Sequence, residues 1–363
     1  MPNLLMHLSS VWLRVISEDN FIVIFIKPNL FAWITIFMRK ENPLILSKNS
    51  GDAALQRLLS TFAIHVIKYF VTYVPFPAFT LECMKHGCRW YSGVNRFEVM
   101  VDDHRWAYLS GGRGEVILFI HGFGANKDRF GIFLSAFSSR YRVISPDLPG
   151  FGENIPAYSK SYDIPSEVTR LNRFVDAIGL DKFHLFGISM GGYVCGYYAS
   201  EYPDRILSLS LMDSGGIRSR IPSDAWIYYI TKGRNVLLYK TPEQVDELIS
   251  FLFFNPPPIP RHFKKYIARE GERDYALRKK LISDIMDGGL YLLDHRLSEI
   301  RAQTLAIWGA EDRMVHRSSV EALEKGIKNF RSVIFKECGH LPFIEKSVET
   351  KRSYNQFLES LPR

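Results

Sequence analysis

Cysteine is scarce, four in 363 residues. Cys83 and Cys88 form a lone C-x4-C with no second pair to complete a tetrahedral site, which argues against structural zinc. A small disulfide between them stays open. Cys195 and Cys338 stand in apolar runs and read as packed thiols. Also missing are an arginine-rich helix, a zinc-ligand spacing and an RNA-binding signature. The net charge of +8 therefore points to an anionic surface rather than to nucleic acid. A clean membrane-spanning run is missing from the first forty residues. "FIVIFI" and "LFAWITIFM" are separated by Lys27-Pro28-Asn29, whereas a spanning helix needs about 20 mostly apolar residues. A secretory leader does not fit either, because Glu18 and Asp19 stand where basic residues belong and no small-x-small cleavage site follows. One reading starts translation later, near Met38, which would make this stretch an extension.

What the chain has is ordinary globular composition, 47% hydrophobic and 23% charged, with a high aromatic share of 14%. Such aromatics suit large apolar pockets and interfaces. The length allows one large α/β core with an insertion. Between Leu55 and Pro75, Leu55, Leu58, Leu59, Phe62, Val66, Tyr69, Phe70 and Tyr73 share one helical face, and Arg57, His65 and Lys68 share the other. Two readings fit. The helix packs on a folded domain, or it lies in a membrane surface with aliphatic and aromatic groups down and basic groups up.

From Asn95 the pattern changes. "FEVMVDDHRWAYL" predicts two strands about the turn Asp102-Asp103. "EVILFIHGFG", "YRVISPDLPGFG", "FHLFGIS", "ILSLSLMD", "TLAIWGAED" and "SVIFKECGH" predict short buried strands, and amphipathic helices fall between most of them. That alternation predicts an α/β fold with a mostly parallel central sheet and helices on both faces. Residues 214–303 carry no comparable buried strand. "TPEQVDELISFLFF" opens like a capping box, with Thr241 at the cap, Pro242 first in the helix and Gln244 three beyond the cap. The expected layout is an N-terminal apolar and amphipathic segment at 1–94, serving as a membrane anchor, a catalytic domain at 95–213 and 304–363, and a helical lid at 214–303.

Chemistry centres on Gly187-Ile188-Ser189-Met190-Gly191. Alone, G-x-S-x-G arises by chance in about one chain of this length in ten, so its context decides. Here an apolar strand precedes it and a helical pattern follows, as a nucleophile elbow requires. A serine hydroxyl needs a base, and the base an orienting acid. Elbow sheets supply these in the order Ser, Asp, His. Asp312 ends the strand of "WGAEDRMV", and His340 follows the strand of "KECGHLPFIE". Backbone N–H groups of Met190 and of Phe123, in "HGFG", are the expected oxyanion donors. Asp213 is the rival acid and Asp312 is preferred. His121 is expected to order the oxyanion loop. His262, His295 and His316 have no partner pattern.

These motifs in this order, "HGFGANKDRF", "DLPGFGEN", "GISMGGYV", "WGAEDRMV" and "CGHLPFIE", resemble the α/β-hydrolase superfamily from about Asn95 to the C-terminus. "TPEQVDELISFLFFNPPPIP" and the apolar segment before the domain are similar to the membrane-associated monoacylglycerol lipase branch and related bacterial lipases. One departure is Glu153-Asn154, where many relatives carry serine after "GFG". The resemblance implies a serine hydrolase of lipid-like carboxylic esters, working through an acyl-enzyme at Ser189 without cofactor or metal, at a membrane surface. Rivals are a carbon–carbon bond hydrolase of ring-cleavage products, with the same triad but small dianionic substrates, and a non-catalytic scaffold of the same fold.

Overall fold

The computed structural model of the protein describes residues 3–8, 11–18, 21–28, 34–39, 77–102, 104–154 and 158–362. The chain divides into two units, Met1–Tyr73 and Val74–Arg363. The predicted amphipathic helix at 55–74 lies outside the described residues. Among those described, no helix is long and apolar enough to cross a membrane.

Among the described residues, the first unit holds four antiparallel strands paired in chain order, β1 (Asn3–Leu8), β2 (Val11–Glu18), β3 (Phe21–Pro28) and β4 (Ile34–Arg39). Asn3 pairs with Ile16, Val11 with Pro28 and Phe21 with Arg39. "FIVIFI" is thus strand rather than helix, and the Lys27-Pro28 break is the end of β3. Runs of six to eight residues rich in Ile, Val and Phe suit a pleated sheet.

The second unit opens with α1 (Pro77–Tyr91), which Arg89 ties to Asp128 through two hydrogen bonds of 2.6 and 2.8 Å. Helix α1 thus belongs to the second unit, Val74–Arg363. Cys83 and Cys88 both lie on α1 with free thiols. Eight strands follow: β5 (Val94–Val101), β6 (His104–Gly111), β7 (Val116–Ile120), β8 (Arg142–Pro146), β9 (Phe183–Ile188), β10 (Ile206–Met212), β11 (Gln303–Gly309) and β12 (Phe330–Phe335). Their order across the sheet is β12-β11-β10-β9-β7-β8-β6-β5. From β12 to β8 neighbours run parallel, and β6 and β5 close the far edge antiparallel. Asp102 takes a φ of 52° in the predicted β5–β6 turn, a left-handed position that aspartate tolerates.

Alternate residues of each central strand feed two cores, as a sheet covered on both faces requires. Leu118, Ile120, Leu185 and Leu209 pack one way, against Leu171 and Phe174 of α2 (Ile164–Ala177) and Val194 and Tyr198 of α3 (Met190–Glu201). Ile117, Phe119, Phe186 and Ile188 pack the other way, against Phe130 and Phe133 of the 3-10 segment Lys127–Ala136. An aromatic cluster sits there. Phe119, Phe130, Phe133, Phe137, Phe186 and Tyr354 contact one another ring to ring. Glu153 and Asn154 are structural in this frame. Asn154 Oδ1 accepts the Ala107 N–H at 2.9 Å, and the Glu153 carboxylate meets Lys127 and Arg96. Burial opposes ionisation of Glu153, but those two cations outweigh it and hold the carboxyl down at about 2.

Between β10 and β11 the chain builds four helices: α4 (Asp224–Lys232), α5 (Pro242–Leu252), α6 (Arg261–Arg273) and α7 (Tyr275–Gly288). Thr241 Oγ1 accepts the Gln244 N–H at 3.3 Å, as predicted. The Gln244 side chain reaches one residue further back than a capping box requires and accepts from Lys240 N–H at 2.7 Å.

Candidate active site

Ser189 stands between β9 and α3 with φ 57° and ψ −122°, a left-handed backbone that costs a non-glycine residue about 1–3 kcal/mol. The turn survives because its flanks are glycine. A Cβ on Gly187 would sit 2.3 Å from the Gly191 carbonyl oxygen, and one on Gly191 would sit 2.4 Å from the His121 carbonyl oxygen. Around it, Ser189 N–H donates to the Met212 carbonyl at 2.9 Å, and the Ser189 carbonyl accepts from Gly215 at 3.0 Å and Tyr193 at 3.1 Å. The serine is therefore fixed from β10 and α3 while its side chain faces a cavity.

Asp312 and His340 arrive from the ends of β11 and β12. His340 Nδ1–H donates to Asp312 Oδ2 at 2.8 Å, and both residues are buried. The other carboxylate oxygen of Asp312 accepts backbone N–H groups of Met314 at 2.7 Å and Val315 at 3.1 Å. Three contacts fix that carboxylate, so the imidazole's tautomer is fixed with Nε2 left as its acceptor. The His340 loop is in turn tied to the helical insertion. His340 N–H donates to the Leu252 carbonyl at 2.9 Å, while Glu345 accepts from Gly339 at 2.7 Å and from Phe254 and Asn255 at 3.0 Å each.

Among the described residues, the N–H groups of Phe123 and Met190 have no protein partner. Both residues line the cavity with Ser189. His121 supports that loop. Its Nε2 accepts the Leu148 N–H at 3.0 Å, so the proton sits on Nδ1, which donates to the Gly122 carbonyl at 2.8 Å. Burial lowers its pKa and keeps the ring neutral.

Asp213 carries more than its position in the sequence suggests. Its polar atoms lie within 4.8 Å of those of Asp312 and His340. One oxygen accepts the Gly309 N–H at 3.0 Å, and the other is buried without a donor. Burial first, and the Asp312 charge second, push this carboxyl well above the ordinary range. A neutral acid resolves the unpaired oxygen, because its O–H can donate to the Asp312 carboxylate. His340 Nδ1–H is already committed to Asp312.

The cavity has a volume of about 240 Å³ and is walled mostly by aliphatic and aromatic groups, with Ser219, Ser223, Asn235 and His316 among them. Trp226 and Tyr229 of α4, Ile282, Ile285 and Met286 of α7, and Leu237 contribute. Among the described residues, no lysine or arginine lines it. Tyr228 of α4 meets Phe251 of α5 edge to face within the helical insertion, and Phe254 is exposed. His316, for which the sequence offered no partner, lines the cavity and hydrogen-bonds Ser318 at 2.9 Å.

Comparison with known proteins points to the same fold. A family model described as alpha/beta hydrolase fold matches residues 115–256. Lipase 1 of Psychrobacter immobilis is 32% identical over 246 residues, covering 67% of this chain and 77% of that lipase. Monoacylglycerol lipase ABHD6 of Homo sapiens is 25% identical over 319 residues, covering 83% of this chain and 93% of that protein. The crystal structure of a membrane phospholipase A, a bacterial virulence factor, superposes with a TM-score of 0.74 at 33% identity, covering 85% of this chain and 98% of that one.

Proposed function

The chain belongs to the α/β-hydrolase family, and we propose that it hydrolyses carboxylic esters of lipids through an acyl-enzyme on Ser189. The observation that carries this reading is the elbow serine beside an apolar cavity, with two unpartnered N–H groups on its wall. Ser189 Oγ attacks the ester carbonyl as His340 Nε2 takes the hydroxyl proton. Phe123 and Met190 N–H groups stabilise the oxyanion. His340 returns the proton to the leaving alcohol, water then attacks the acyl group with His340 again as base, and the fatty acid departs. The acid is Asp312, whose oxygen meets His340 Nδ1 directly. The reaction needs no cofactor. Among the described residues the cavity wall is mostly apolar and carries no lysine or arginine, which suits an acyl chain within it.

Work at a membrane surface is part of this proposal. Helix α4 lines the cavity with Tyr229 and exposes Ile227 (45%) and Ile230 (62%) on its outside. Apolar side chains at the cavity's edge, on a chain of net charge +8, suit an anionic lipid surface. The test of the nucleophile is a fluorophosphonate probe. It should label the wild type and not Ser189→Ala, whose fold stays intact and whose turnover falls on the order of a millionfold. Equal labelling of both proteins would remove Ser189 from the mechanism.

A further inference from the structure

The cations around α7 are nearly all accounted for. Arg273 meets Glu270 at 2.7 Å and Asp274 at 2.8 Å, Lys280 meets Asp284 at 2.6 Å, and Lys240 lies 4.0 Å over the Tyr275 ring. Lys279 points to solvent. Arg278 is different. It is half-buried, its guanidinium lies 4.6 Å over the Tyr239 ring, and no carboxylate or hydrogen-bond acceptor meets it among the described residues. A ring face offsets only part of what a guanidinium loses on leaving water, and its forked N–H groups remain unfilled.

Its position relates it to the reaction. A Cβ built on Gly124 would have one neighbour within 4 Å, Arg278 Nη1 at 3.9 Å. Gly124 is exposed and directly follows Phe123, whose N–H is the proposed oxyanion donor. On α7, Arg278, Ile282, Ile285 and Met286 are spaced i, i+4, i+7 and i+8, so they share one face, and the last three line the cavity. An acyl chain among those apolar groups, with its ester at Ser189, leaves the polar end of the substrate nearest the Phe123–Gly124 loop. The guanidinium stands beside that loop.

We infer that Arg278 is a head-group subsite that binds the phosphate of a glycerophospholipid or lysophospholipid, making phosphorylated lipid esters preferred substrates over neutral monoacylglycerols. The inference rests on the lipid-esterase reading above. A phosphate three carbons from the ester offers the paired oxygens that a guanidinium fork accepts, and Arg278 has no competing carboxylate. The relevant chemistry is a phosphate group, which a free ion also carries, so the test separates the two sources.

The experiment compares kcat/KM for oleoyl lysophosphatidate and monooleoylglycerol in the same neutral detergent micelles. Wild type, Arg278→Gln, Arg278→Lys and Lys279→Gln are assayed, with p-nitrophenyl butyrate as a soluble ester. The ratio of the two lipids is internal to each protein, so partial loss of fold cancels. The expected result is a wild-type preference for the phosphorylated lipid that falls about 10- to 100-fold in Arg278→Gln, mainly through KM, recovers in part in Arg278→Lys, and is untouched in Lys279→Gln. An unchanged ratio in Arg278→Gln overturns the subsite while p-nitrophenyl butyrate hydrolysis upholds the esterase reading. Inorganic phosphate that inhibits the wild type but not Arg278→Gln, with the lipid ratio unchanged, shows a free-anion site and also overturns it. A wild type that hydrolyses none of the three esters sinks the esterase reading itself.

Discussion

Replacing Asp213 by asparagine should stabilise the protein, and more so as pH rises. The side chain is fully buried, and its one fixed bond, from Gly309 N–H at 3.0 Å, goes to an oxygen that asparagine keeps. The second oxygen, unpaired in an ionised acid, becomes an N–H₂ group able to donate to Asp312. Burial and the neighbouring Asp312 charge raise this carboxyl in the folded state, whereas the unfolded chain releases the proton near 3.8. The sign follows from proton counts. Between the unfolded and folded pKa values the native state holds a proton that the unfolded state has lost. The stability associated with Asp213 is therefore full below about pH 4 and declines as pH rises towards the folded pKa. The slope is about 1.4 kcal/mol per pH unit. Asparagine has no such proton to lose. The stability gap between Asp213→Asn and wild type should be near zero at pH 4 and widen through the neutral range, about 2–4 °C in Tm for each kcal/mol. Thermal melts of both proteins from pH 4 to 8 measure it, and the difference cancels the other titrating groups. A gap that stays constant with pH, or that closes as pH rises, would refute the neutral Asp213.

Two other outcomes test the proposed mechanism and setting. Asp312→Asn should lower kcat roughly 10⁴-fold by presenting the wrong hydrogen-bonding group to His340, while Asp213→Asn stays within a few-fold of wild type at pH 7; steady-state kinetics giving the reverse order would transfer the acid role to Asp213. Ile227→Glu with Ile230→Glu changes two exposed positions, so folding and p-nitrophenyl butyrate hydrolysis should survive. Full burial of one isoleucine is worth about 1.5–3 kcal/mol, so co-sedimentation with anionic vesicles should fall at least about tenfold, and undiminished co-sedimentation would remove α4 from the membrane contact.

The sheet was legible because its strands carry short apolar runs bounded by turn residues, and because the helices between them repeat at 3.6 residues. The elbow was legible for a different reason. Gly187 and Gly191 are required by contacts of 2.3 and 2.4 Å, and that requirement is written into the sequence as glycine. The first forty residues were harder. Their apolar runs are too broken for a spanning helix and too continuous to show the alternation of a half-buried strand, so periodicity alone did not reveal the four-stranded sheet.

What the sequence hid is pairwise. Asp213 and Asp312 lie 99 positions apart by their numbers, and each alone looks like an acid at the end of a strand. Only the adjacency of β10 and β11, with Met212 opposite Ile307, brings them together at one end of the sheet. Two carboxylates so close cannot both ionise in a buried site, and the contacts already decide which one does. Asp312 has two backbone N–H donors and the imidazole N–H, whereas Asp213 has a single donor. Burial first, and the neighbouring Asp312 second, push the Asp213 carboxyl up, so Asp213 is the one that holds its proton. Arg278 is hidden in the same way. Its sequence neighbours Lys279 and Lys280 make it look like one of a surface cluster, and only the fold shows that it alone of the three faces the oxyanion loop.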